Sequence, residues 1–227
     1  MYYGQIVKKL KSWSNPQNIA GLARFGINPN NTLGIPIPKL RSLAKQLGKD
    51  HQLAQKLWDS KIHEAKILAS MIDDYKLVNG RQMDKWIKDF DSWDVCDQTC
   101  MNLFVFADQA YKKCFIWSKK NKEFERRAGF ALMASFAFKN KNLADRDFIK
   151  FLPIIKREAK DERNFVRKAV NWSLRQIGKR NLKLNREALE IAKEILKIKN
   201  SKSAQWIAKD AIRELTGRAV LKRLCSK

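Results

Sequence analysis

Four segments along the chain share one pattern, a basic residue beside a run of small and apolar residues. They are HEAKILASMI (63–72), FERRAGFALMASF (124–136), VRKAVNWSLRQI (166–177) and IAKDAIREL (207–215). Arg127 and Lys168 stand 41 residues apart, and Lys168 and Asp210 stand 42 apart. A period near 40 holds two helices, and one such pair cannot bury its apolar face alone; it must stack on the next. The repeat therefore restricts the chain to stacked helix pairs, with a non-repetitive helical bundle as the alternative. Between Lys66 and Arg127 the spacing is irregular, and DSWDVCDQTCMNLFVF (91–106) is predicted as a further helix.

Breakers are scarce, with 9 Gly and 5 Pro in 227 residues, which favours helix over a turn-rich β fold. They gather in GINPNNTLGIPIPKL (26–40), which holds three prolines, two glycines and three asparagines and so cannot be helical throughout. The expected organisation is one domain over residues 1–227. It comprises a helical arm at 2–25, a connection at 26–40 and repeats over 41–220. The fold class expected is all-α, a right-handed superhelix of degenerate HEAT-like helix pairs. In such a solenoid the second helix of each pair lines the concave face, and the basic leading residues then make a basic groove.

The net charge of +24 says little about fold and much about association. It points to a polyanion, with nucleic acid ahead of an anionic membrane surface or a merely solvated basic face. The charge is uneven. Counting Lys and Arg against Asp and Glu gives +7 for residues 1–60, −3 for 61–110, +7 for 111–150 and +13 for 151–227. The opening MYYGQIVKKLKSW lacks the apolar stretch of a secretory leader, and GFALMASFAF (129–138) is too short to span a bilayer. Cys96, Cys100, Cys114 and Cys225 form no disulfide framework. A monomer in the reducing cytoplasm, without membrane association, is expected.

Helical spacing sorts the side chains of 166–180 into faces. Val166, Ala169, Val170, Ser173 and Ile177 share one. Lys168, Trp172, Arg175 and Lys179 recur at i, i+4, i+7 and i+11 on another, so an indole joins a cationic stripe. In 91–104, Trp93 and Asp97 are one turn apart, beside an apolar stripe of Cys96, Cys100, Leu103 and Ala107. Asp91 or Ser92 is the candidate N-cap. Taken singly, Trp93 and Trp172 also fit half-buried core, and Arg127 fits a pair with Glu123. Trp13, Trp58, Trp86, Trp117 and Trp206 read as packing residues between helices. His51 and His63 have no ligand spacing with the cysteines, so no metal or cofactor is expected.

The joint pattern resembles the AlkD-type DNA alkylation repair glycosylases, a family of HEAT-like repeats. The resemblance runs from GIPIPKLRSLAKQL (34–47) to IAKDAIREL. Trp93 and Asp97 in SWDVCD, Arg127 in RRAGFALM and Trp172 in VNWSLRQ match the family's active residues by type and context. The resemblance implies a monofunctional glycosylase that hydrolyses the N-glycosidic bond of cationic alkylpurines such as 3-methyladenine and 7-methylguanine in duplex DNA. Asp97 would stabilise charge on the sugar, and Trp93 and Trp172 would present their faces to it. Arg127 and Arg175 would hold phosphates, with Lys168, Lys179 and Arg126 as further DNA contacts. The alternatives are a non-catalytic relative that binds branched or structured DNA, and a protein–protein scaffold.

Overall fold

The computed structural model describes residues 1–140 and 142–226, and all regular structure among them is helical. The chain divides into two compact units, Met1–Gln109 and Ala110–Lys227. No helix among the described residues is long and apolar enough to cross a membrane.

The first unit contains α1 (Tyr3–Ser12), α2 (Pro16–Arg24), α3 (Ile37–Leu47), α4 (His51–Asp59), α5 (His63–Ile72), α6 (Gly80–Trp86) and α7 (Trp93–Asn102). The expected arm at 2–25 is thus two helices. The break falls where Asn15 caps α2, its side-chain oxygen accepting from Gln17 N at 3.0 Å and Asn18 N at 3.2 Å, with Pro16 at the first helical position. The segment 91–106 is not one helix either. It ends at Leu103 (φ −129°, ψ −65°) and continues as a 3-10 turn over Phe104–Phe106. The stripe of Cys96, Cys100, Leu103 and Ala107 is buried as its spacing requires.

The core of this unit is built around α5, which is buried on nearly every side and packs on α3, α4 and α7. Trp58 and Trp86 stack face to face with ring centroids 3.8 Å apart and planes within 6°. The polar positions of α5 therefore have to be satisfied internally. Glu64 does this for the connection as well. Its carboxylate accepts from Leu33 N (2.8 Å), Gly34 N (2.7 Å) and Ile35 N (3.1 Å), tying an irregular strand of chain to the core. Gly34 is needed there. Its φ is +74°, and a Cβ would sit 2.5 Å from the Asn15 carbonyl oxygen.

The second unit contains α8 (Ala110–Trp117), α9 (Glu123–Lys139), α10 (Asp145–Ile149), α11 (Leu152–Glu158), α12 (Asn164–Gly178), α13 (Leu182–Leu196), α14 (Lys202–Leu215) and α15 (Arg218–Cys225). The helix α9 packs between α8 and α12, and α12 packs in turn on α13 and α14. Burial follows the repeat: Val166, Val170 and Leu174 of α12 and Ile207, Ala211 and Leu215 of α14 are all buried, each pair 41 apart. The predicted apolar face of 166–177 is the one that is buried.

Candidate functional site

In the first unit, the start of α7 is held from two directions. Ser92 stands at the N-cap, but its hydroxyl accepts from Asn28 N at 3.0 Å, so it anchors the connection and not its own helix. Asp91 accepts from Asn28 Nδ2 at 2.9 Å. One residue on, Trp93 is half-buried and its Nε1 donates to the Phe25 carbonyl at 3.1 Å, which fixes the indole against the end of α2. Asp97 follows one turn later and is 8% exposed. A carboxylate so placed is expensive to ionise unless its surroundings stabilise the charge.

Next along α7, Asp94 Oδ2 lies 2.8 Å from Nε2 of the buried His63. Burial alone would pull the His63 pKa down. The Asp94 hydrogen bond and charge, with smaller contributions from Glu64 and Asp91, outweigh it and hold the imidazole above its ordinary value. Sequence spacing missed this pair because its members are 31 residues apart on different helices.

The leading cation of α5 is not a free surface charge. Lys66 is buried, donates to the Asp89 carbonyl at 2.9 Å and lies over the Trp58 ring. Arg127 of α9, in the second unit, is likewise buried, and its Nη1 donates to the Phe165 carbonyl at 2.5 Å. Glu123, the partner that sequence offered for Arg127, instead accepts from Phe165 N at 3.0 Å. Both groups thus join the start of α12 to α9. Arg126 donates to the Lys120 carbonyl at 2.6 Å and pairs with Glu158 (2.9 Å) and Asp161 (3.0 Å).

The stripe on α12 exists, and it has a counter-stripe. Lys168 is exposed, while Trp172, Arg175 and Lys179 are half-buried. Arg175 pairs with Glu214 and lies 3.4 Å from Asp210; Lys179 pairs with Glu214 at 2.6 Å. Burial would raise the Glu214 pKa, but the Lys179 hydrogen bond and the Arg175 charge bring it below the ordinary carboxylate value. Trp172 is framed by Phe138, with ring centroids 6.2 Å apart, and by Gln176. With its amide oxygen toward the indole, Gln176 accepts from Trp172 Nε1 at 3.2 Å and Lys179 Nζ at 3.1 Å. Phe138, Gln176 and Lys179 also line a cleft of about 670 Å³ together with Arg180, Asn181 and Arg223. Arg180 donates to the carbonyls of Ala137 and Leu143, and Arg223 to that of Lys179, so neither is neutralised by a carboxylate through these bonds.

Three remaining expectations divide. Trp58, Trp86 and Trp117 are fully buried packing residues. Trp13 is half-buried under Lys39, whose Nζ is 4.2 Å from the ring centroid. Trp206 is 39% exposed and is not a packing residue in the expected sense. Cys96, Cys100 and Cys114 are buried thiols, and burial pushes that of Cys114 well up.

The model of a family described as "DNA alkylation repair enzyme" matches residues 6–215. No curated protein matches the chain by sequence. Among solved structures, one described as "a new family of proteins related to the HEAT-like repeat DNA glycosylases with affinity for branched DNA structures" superposes with a TM-score of 0.76. It is 18% identical, and the match covers 94% of this chain and 95% of that one. At that identity the likeness speaks for the fold, which is the all-α HEAT-like architecture expected from the repeat. The family match spans nearly the whole sequence and includes Trp93, Asp97, Arg127 and Trp172: the chain belongs to the DNA alkylation repair enzyme family.

Proposed function

We propose that the protein is a monofunctional DNA glycosylase that releases positively charged alkylpurines from duplex DNA. The observation that carries this reading is the pairing on α7. A buried carboxylate, Asp97, stands one turn from a half-buried indole, Trp93, in a chain whose family model covers residues 6–215. An N3- or N7-alkylated purine is already cationic and leaves without protonation. Charge then develops on the deoxyribose. A preorganised carboxylate stabilises that charge and orients the attacking water. Each indole face adds a cation–π attraction of about 0.5–2 kcal/mol. In this reading Asp97 supplies the carboxylate and Trp93 and Trp172 supply the faces. Arg127 supports the site, and Arg175, Lys168, Lys179 and Arg126 contribute to the phosphate-binding surface. The chemistry asks for no metal or cofactor.

The test is release of 3-methyladenine and 7-methylguanine from alkylated duplex DNA. Wild type is expected to release both, and Asp97→Asn, which keeps the side-chain shape, is expected to abolish release while leaving DNA binding intact. Release by the variant at the wild-type rate overturns the assignment of Asp97.

A second reading draws on the solved structure with affinity for branched DNA and on the carboxylates that already neutralise Arg175 and Lys179. In it the chain binds branched DNA without catalysis. Preference for a four-way junction over linear duplex, with no base release from any alkylated substrate, selects this reading.

A further inference from the structure

The 41-residue period places one aromatic residue in the same phase of three repeats in the second unit, on α9, α12 and α14. Phe124 of α9, Phe165 of α12 and Trp206 of α14 are separated by 41 and 41 residues. Each immediately precedes a buried residue, Glu125, Val166 and Ile207, although in α14 Ser203 and Ala204 are buried before it. None of the three is itself buried, and Trp206 is 39% exposed. An apolar ring held repeatedly at the edge of the core, and not one residue further in, is a patterned surface.

Cations accompany the rings. The Phe124 and Phe165 ring centroids are 5.4 Å apart with planes inclined by 33°. Lys168 Nζ lies 6.0 Å from the Phe165 ring centroid, and the Arg167 guanidinium carbon lies 5.5 Å from that of Trp206. Arg167 makes no ion pair within 4 Å among the described residues, and its Nε is buried without a hydrogen-bond partner. Its only described side-chain hydrogen bond is to Asn164 Oδ1 at 3.3 Å. The nearby Glu162 accepts through Oε1 from Ser201 Oγ at 2.7 Å and Ser203 N at 3.2 Å, and the Arg167 charge is a smaller contribution to its lowered pKa. The order along the surface is therefore ring, ring with cation, cation with ring.

We infer that this aromatic–cationic ladder on α9, α12 and α14 is a stacking track for unpaired nucleotides of a DNA strand. Bases within a continuous duplex already stack on one another and offer no free faces. Unpaired bases offer both, and they stack on aromatic side chains whatever their sequence, each contact being worth about 1–3 kcal/mol, while flanking Lys and Arg follow the phosphates. The charge agrees with a polyanion: residues 111–227 carry +20 of the chain's +24, from +7 over 111–150 and +13 over 151–227. A protein partner would have to meet the same excess of positive charge. The inference rests on the DNA-binding part of the function proposed above and not on its chemistry.

The experiment compares binding of a continuous duplex with binding of the same duplex bearing a ten-nucleotide single-stranded arm, by fluorescence anisotropy at fixed salt. Wild type is expected to bind the armed DNA more tightly. Trp206→Ala should weaken binding of armed DNA roughly tenfold, leave duplex binding unchanged, and be rescued by Trp206→Phe. Arg167→Gln, which leaves all three rings in place, should weaken the same complex severalfold. Equal losses on both DNAs for Trp206→Ala would make the surface a general electrostatic one. No loss on either would make it a packing edge. Both overturn the inference. Base release is read separately on the continuous duplex, so a wild type without glycosylase activity leaves this comparison intact.

Discussion

Glu214 on α14 joins two cations at the C-terminal end of α12, accepting from Lys179 Nζ at 2.6 Å through one oxygen and from Arg175 through the other. Residues that the family resemblance offers as DNA contacts are thus held by a carboxylate 35 and 39 positions further along. Their charge is partly neutralised in the free protein, and a phosphate would have to compete for it.

Glu214→Gln should free Lys179 and leave Arg175 only its longer 3.4 Å approach to Asp210. Duplex affinity at about 50 mM salt is expected to rise severalfold, and the slope of log K against log salt to steepen by about one to two units, as more phosphates are neutralised. Anisotropy titrations across salt concentrations check this. An unchanged slope would show that neither cation contacts DNA.

The ion pairs give stability opposite pH dependences. Glu214 has a depressed folded pKa, so its contribution is present above its unfolded value near 4.5 and lost as pH falls through the lower folded one. His63 has a raised folded pKa, so its contribution is complete below the unfolded value near 6.5 and lost as pH rises through the folded one. An NMR titration should find the His63 midpoint above 6.5, and Asp94→Asn should lower it. Urea denaturation of wild type should show the His63 contribution falling as pH rises from about 6.5 through the folded midpoint, with Asp94→Asn flattening that slope.

Glu64 is expected to be the most sensitive polar residue of the first unit. It is 1% exposed and satisfies three backbone N–H groups of the connection. Glu64→Ala leaves those donors unsatisfied and should cost about 3 kcal/mol or more in urea denaturation. Glu64→Gln keeps one acceptor oxygen and should cost less. Limited proteolysis should cut both variants within 26–36 faster than wild type.

Gly129 lies where α9 crosses the end of α8. A Cβ there would stand 2.6 Å from Ser118 N and 3.1 Å from Ser118 Cα, and backbone cannot step aside as a side-chain tip can. Helix propensity alone favours Gly129→Ala by about 1 kcal/mol. The clash is expected to reverse the sign, giving a net loss of about 1–3 kcal/mol by thermal or urea denaturation.

The helical segments and their buried faces were legible because burial recurs with the helix period. HEAKILASMI spans α5, and Val166, Val170 and Ile177 face the core as their spacing requires. A break within 26–40 was legible from its prolines, although α3 already begins at Ile37 because a proline is tolerated in a first helical turn, and the family was legible from Trp93, Asp97, Arg127 and Trp172 in context. Periodicity states the direction in which a side chain leaves its own axis. It does not state what it meets. That Glu214 would take Arg175 and Lys179, that Glu64 would hold Leu33 to Ile35, and that Asp94 would meet His63 depended on how separate helices stack and at what height. The same holds for Arg127, which passes over Glu123 four residues away on its own helix for a carbonyl on the next. The sequence by itself determined the helices, their apolar faces and the charge to be met by a partner; only the tertiary structure decided which of those charges were already spoken for, because pairing depends on distances between helices that no local pattern encodes.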